Sequence, residues 1–233
     1  MLKGLYKIEI ETAQGSARGV ADARDGRILG GNAAFALAGR YREAGDEITA
    51  GISVLRHNDD AAFRELFGPD EFTVRLQGRP QGERFILEAD AAQGTGIVFK
   101  AVLSEISEAS SPPAGVNGEG AIRNGLYSLS IRMLDGINST NTGIMVLHDG
   151  TIRGGDAFFD YVGAYSSANG RWKGELINHE HTPTRGERPL LGGRAEVGIG
   201  FSGTYDENGA EGEATALAGK RSIRFRTVLR RLA

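Results

Sequence analysis

Cysteine is absent from the 233 residues, which excludes disulfides, thiol catalysis and thiolate metal sites and fits a reducing compartment. An excess of either charge is missing too. The net charge is −3; Met1 to Val116 carry 13 Lys/Arg against 17 Asp/Glu, and Asn117 to Ala233 carry 14 against 13. Neither half has the basic surplus that would make nucleic acid the main partner. No apolar run approaches the roughly 18 residues of a spanning helix, and "MLKGLYKIEIETAQG" lacks the apolar core of a signal peptide. A cytoplasmic location without membrane contact is the expectation. Catalytic signatures are also lacking: there is no G-x-S-x-G elbow, and Gly94-Thr95-Gly96 leads into neither a helix nor a Lys-Ser/Thr pair. Without a convergent constellation, the chain is expected to be neither an enzyme nor a cofactor carrier.

What is present is ordinary globular material, with 40% hydrophobic and 24% charged residues. The 35 glycines follow no collagen period and fall mostly at the ends of short alternating segments, as in a turn-rich all-β chain. The informative feature is a repeat. "RDGRILGGNAAF" at Arg24 returns as "HDGTIRGGDAFF" at His148, and Gly19 to His57 align without a gap on Gly143 to His181. Gly19/Gly143, Asp25/Asp149, Gly30/Gly154, Phe35/Phe159, Tyr41/Tyr165 and His57/His181 coincide. "GLYKIEI" at Gly4 pairs with "GLYSLSI" at Gly125, and "IVFKAVLSEI" at Ile97 with "IRFRTVLRRL" at Ile223.

The chain therefore divides into a first copy over 1–107, a linker over 108–121 rich in Ser, Pro and Gly, and a second copy over 122–233. Within each copy the apolar period is two, as in Tyr6, Ile8 and Ile10 or Val197, Ile199 and Phe201, which marks half-buried strands. Asp25-Gly26 and Asp149-Gly150 suit two-residue hairpin turns. The Gly-Gly doublets that follow predict a bulge or a sharp bend. The expected fold class is all-β: two tandem small antiparallel up-and-down barrels of about seven or eight strands each. A two-sheet sandwich is the alternative. "NDDAAFRELFG" at Asn58 predicts a short helix in the first copy, whereas "HTPTRGERPLLGG" in the second reads as an irregular loop.

The order "GLYKIEI", "DGRILGGNAAFALAGRY", "ITAGISVLRHN" and closing "FKAVLSEI" resembles the GrlR family of negative regulators of type III secretion genes. The second copy, "GLYSLSI" then "DGTIRGGDAFFDYVGAY", resembles it equally, and together the two span almost all of the chain outside the linker. The resemblance implies a small lipocalin-like barrel that dimerises and inhibits a transcriptional activator by binding it. It also implies an acidic contact loop after the "Y.G.Y"-like segment, which here reads "REAGDE" with Glu43, Asp46 and Glu47, and "SSANGR" with no acid in the second copy. Gly45-Asp46 also reads simply as a solvated turn. Joining two such copies by a linker raises their effective concentration to roughly millimolar, so an intramolecular pseudo-dimer is expected.

A second class of function stays open, a small-molecule carrier or sensor: Tyr127, Trp172, Leu176, Phe201 and Phe225 would line a barrel able to enclose an apolar ligand, or would simply form its core. His179 and His181 share a strand face, but zinc normally takes a third protein ligand, so strand-end roles are expected and no metal site. Lys220, Arg221, Arg224, Arg226, Arg230 and Arg231 form a basic strip that could grip phosphates or an acidic partner, or could protect a strand face.

Overall fold

The computed structural model describes residues 1–13, 15–58, 69–89, 98–108, 111–134, 140–184, 196–218 and 220–233. The chain divides into two compact units, Met1–Ser107 and Glu108–Ala233. Each is a closed, antiparallel, eight-stranded up-and-down barrel.

The first barrel runs β1 (Gly4–Thr12), β2 (Gly15–Arg24), β3 (Arg27–Gly31), β4 (Phe35–Ala44), β5 (Glu47–Arg56), β6 (Glu71–Gln81), β7 (Arg84–Ala89) and β8 (Phe99–Glu105), and β1 closes on β8. The second runs β9 (Gly125–Met133), β10 (Thr140–His148), β11 (Thr151–Gly155), β12 (Phe159–Ala168), β13 (Arg171–Glu180), β14 (Glu196–Tyr205), β15 (Gly209–Ala218) and β16 (Arg221–Arg231), closed by β16 on β9. The stretch that predicts a helix, Asp59 to Gly68, lies outside the described residues, as does most of the corresponding loop in the second copy.

Turn chemistry sets the registers. Asp25 and Gly26 have φ of 50° and 74°, and Asp149 and Gly150 have 44° and 81°. Positive φ at both central residues is what a two-residue hairpin between right-twisted strands needs. The doublets that follow leave the ladder intact. Ala21 faces Gly30 and Val20 faces Gly31, while Gly30 faces Leu37, so there is no bulge at this point.

Close approach explains the first glycine of each doublet. A Cβ on Gly30 would stand 2.2 Å from Val20 O, and one on Gly154 would stand 2.2 Å from Ile144 O. The second glycine ends the strand with φ of 140° at Gly31 and 156° at Gly155. The doublet closes the strand and is not a bulge.

The segment read as a linker is bound to the second barrel. Gly115 N donates to Gly150 O at 3.0 Å, and Gly118 N donates to Ser167 O at 2.8 Å. Ile122, at the end of this strap, is buried in the core with Tyr127 and Trp172. Its irregular composition fits a path that meets β12 at a single bridge, Asn117 to Ser167, and bonds to the Gly150 turn and to serine side chains, so that no continuous ladder imposes alternation.

Gly30→Ala and Gly154→Ala should each destabilise their own barrel by about 1–3 kcal/mol, as overpacking does. At Gly51 a Cβ meets nothing within 4 Å, so Gly51→Ala should leave stability nearly unchanged. Urea denaturation of the three variants checks both expectations.

Candidate functional site in the first barrel

Inward side chains from all eight strands of the first barrel surround an internal cavity. They are Ile8 and Ile10 (β1), Ala21 (β2), Ile28 (β3), Leu37 (β4), Ile52 and Val54 (β5), Val74 and Leu76 (β6), Leu87 (β7), and Ala101 and Leu103 (β8). Every one is aliphatic. The space offers about 60 Å³ to the centres of water-sized spheres. On that scale one water needs about 10–15 Å³, so there is room for about four waters or one small organic molecule. A wall without polar groups disfavours water and favours an apolar guest.

Toward one end of the barrel, in the same core as the lining, Leu2 is fully buried, Tyr41 Oη donates to Leu2 O at 2.5 Å, and the Tyr6 and Phe85 rings meet edge to face with centroids 5.8 Å apart. Burial pushes the Tyr6 and Tyr41 hydroxyls above their usual pKa, so both remain neutral donors at physiological pH. Toward the other end Ile10 and Leu37 are only half-buried. The lining holds no nucleophile, acid or base, so the arrangement can bind but offers no catalytic group.

The two copies place side chains of different size at equivalent inward positions. Ala21, Leu37 and Ile48 of the first copy align with Met145, Tyr161 and Trp172 of the second. Leu76, opposite Ala50, has as its counterpart Phe201, opposite Gly174. In the second barrel the five residues expected to line a cavity, Tyr127, Trp172, Leu176, Phe201 and Phe225, all point inward and pack in one apolar cluster. The Trp172 and Phe201 rings lie 4.5 Å apart, and Trp172 Nε1 donates to Glu211 O at 3.1 Å. The cavity of the first barrel is marked by smaller counterparts at these inward positions.

The three acidic residues of the first copy part company. Leu2 N donates to Glu43 Oε1 at 2.6 Å, and the N-terminal ammonium is 3.9 Å from the same oxygen. Glu43 thus holds the start of the chain over the barrel. Asp46 and Glu47 stand exposed at the β4–β5 turn. The basic strip on β16 is partly neutralised by β15, since Arg224 meets Glu213 at 2.7 Å and Arg226 meets Glu211 at 2.5 Å.

No protein-family model matches this sequence, and no curated protein matches it. Among solved structures the chain is similar to a protein of Bacteroides fragilis that is named, with reserve, an outer membrane protein. Identity is 13% and the TM-score 0.27, over 99% of this chain and 97% of that one. At that score the likeness carries no argument. In this chain the inward positions are apolar, while β5, β6, β15 and β16 turn residues such as Thr49, Arg75, Glu211 and Arg224 outward. A lipid-spanning barrel has the reverse polarity.

The histidines have local partners. His57 Nε2 donates to Asn32 O at 3.0 Å, and in the second copy His181 Nε2 lies 3.4 Å from Asp156 O. Both tie the end of β5 or β13 to the turn before β4 or β12. Burial lowers the His57 pKa, which keeps the ring neutral. His179 Nδ1 is 2.9 Å from Asp160 Oδ1. Among the described residues no group of three or more His, Cys, Asp or Glu is placed to hold a metal ion.

Asp156 was not singled out by sequence reasoning, although its alignment with Asn32 marks it. Asn32 Oδ1 accepts from Ala34 N and Phe35 N, and its Nδ2 donates to Arg18 O. Asp156 Oδ1 accepts from Phe158 N and Phe159 N, while Oδ2 accepts from Tyr161 Oη at 3.1 Å. Burial raises the Asp156 carboxyl above its usual range, against the pull of those three donors. An acid whose pKa is raised by folding costs stability as pH climbs from about 4 through the raised value. Asp156→Asn, which restores the first copy's residue, should therefore make the second barrel more stable at pH 7, with the gain shrinking toward pH 4. Urea titrations at the two pH values measure it; a larger gain at pH 4 would contradict the assignment.

Proposed function

We propose that this chain is a non-enzymatic binding protein whose first barrel takes up a small, uncharged apolar molecule. The observation that supports this reading is the aliphatic cavity of the first barrel. A guest with a polar group inside would leave that group without a hydrogen-bond partner, at a cost of about 1–3 kcal/mol or more. Hydrocarbon, or the hydrocarbon part of a larger molecule, is the chemistry that fits.

Xenon and benzene, titrated separately against the intact chain, should shift the methyl resonances of Ile8, Ile52 and Leu87. Replacing Ala21→Met, Leu37→Tyr and Asn32→Asp, which installs the second copy's residues together with the acceptor the new hydroxyl needs, should abolish those shifts. Shifts that persist in this variant, or that centre on Ile152 and Leu176 of the second barrel, would sink the reading. Native mass spectrometry of the chain as purified tests for a retained natural guest.

A second reading, in which the chain sequesters a transcriptional activator as the GrlR resemblance implies, is favoured by the exposure of Asp46 and Glu47 at a hairpin tip. On this reading Glu43 supports the barrel, and only Asp46 and Glu47 touch the partner. A host transcription factor should then co-purify with the chain, and Asp46→Asn with Glu47→Gln should weaken that association about tenfold or more without moving the thermal melt.

A further inference from the structure

The outer face of β3 to β6 carries arginines abreast. Arg27 faces Arg40 across β3 and β4, Arg40 faces Gly51 across β4 and β5, and Gly51 faces Arg75 across β5 and β6. One lateral row thus holds three arginines with a glycine between the last two. The next row is Arg42, Thr49 and Gln77. All of these residues are exposed.

Like charges abreast on a sheet destabilise it. Among the described residues none of Arg27, Arg40, Arg42 or Arg75 makes an ion pair. The fold does not require them: the equivalent row of the second barrel is Thr151, Ala164, Glu175 and Gly200. Where the second barrel does crowd arginines, on β16, carboxylates of β15 answer Arg224 and Arg226.

Gly51 shapes this face. A Cβ there would meet nothing within 4 Å, so neither backbone strain nor close packing explains the glycine. Its effect is a notch, floored by bare backbone and flanked along β5 by Thr49 and Ser53. With strands about 4.8 Å apart, Arg40 and Arg75 stand about 10 Å from each other across it. A carboxylate in that gap can take a bidentate pair of hydrogen bonds from a guanidinium on either side.

We propose that this face docks a short acidic segment of a partner protein, laid over Gly51 between Arg40 and Arg75. Charge favours a short segment over nucleic acid. Met1 to Ser107 carry 13 Lys/Arg against 16 Asp/Glu, so the rest of the barrel repels a long polyanion, whereas a short peptide engages the notch alone. The docking face is independent of the interior cavity.

The test uses the intact chain and a fluorescent hexaglutamate peptide, with binding read by anisotropy at about 50 mM and 300 mM salt. Binding should appear at low salt and weaken at high salt. Arg40→Gln with Arg75→Gln should reduce affinity about tenfold or more, and Gly51→Glu, which supplies the second copy's residue, should do the same by occupying the notch. Arg224→Gln with Arg226→Gln should leave affinity unchanged. Circular dichroism confirms that each variant is folded, and the two notch variants provide independent readings should one fail. Absence of binding at low salt, undiminished binding in the notch variants, or an equal loss in the β16 variant would overturn the proposal. So would tighter binding of an oligothymidylate of matched length through the same arginines.

Discussion

An eight-stranded barrel encloses an interior of nearly fixed size, and the side chains pointing inward must fill it or leave a void. Both barrels meet this constraint on one scaffold, with the same strand order and the same Asp-Gly hairpin. Strand spacing and register fix how far the walls stand apart. Glycines at Gly30 and Gly154, or Gly39 and Gly163, let neighbouring backbones approach where any Cβ would collide with a carbonyl oxygen. With the walls set, interior chemistry is decided by side-chain volume. Met145, Tyr161, Trp172 and Phe201 put larger side chains inside the second barrel where the first has Ala21, Leu37, Ile48 and Leu76.

Polar groups follow from the same geometry. A tyrosine that fills a barrel brings a hydroxyl with it, and that hydroxyl needs a partner in a medium that supplies little water. Tyr161 obtains one from Asp156, at the position where the first copy has Asn32 beside aliphatic Leu37. The exchange of Asn for Asp between copies is thus matched to the exchange of Leu for Tyr. Its cost is a carboxylate held where burial disfavours its charge. At the Leu2 end of the first barrel the chain's own backbone does this work, because Tyr41 donates to Leu2 O.

The fold was legible because it is written in short-range signals. Alternation of period two gave the strands, positive-φ dipeptides gave the hairpins, and the repeat gave the division into two barrels. The Gly-Gly doublets were legible as interruptions of the strand pattern but not as close approaches, since only the paired strand reveals what a Cβ would strike. The linker composition over 108–121 hides that the strap is tied down, because its hydrogen bonds run to the Gly150 turn, to one residue of β12 and to serine side chains and leave no periodic trace. The cavity was missed for a related reason. An aromatic cluster such as Tyr127, Trp172 and Phe225 stands out in a sequence, whereas a void is a deficit of volume shared among many unremarkable aliphatic residues. The repeat held that information in the sizes of aligned residues, Ala21 against Met145 above all.

Two copies of one fold within one chain act as controls for each other. The second barrel shows the scaffold with larger inward side chains, arginines on β16 answered by carboxylates, and a glutamate at the position of Gly51. Against that standard the first barrel departs in two respects that both cost stability. It keeps an unfilled interior, worth about 1–2 kcal/mol at the usual cost of cavity volume, and it sets Arg27, Arg40 and Arg75 in a row without ion pairs among the described residues. The fold does not demand the arginine row, because the equivalent positions of the sister barrel lack it. On the readings proposed above, the interior would suit an apolar guest and the outer face of β3 to β6 an acidic one.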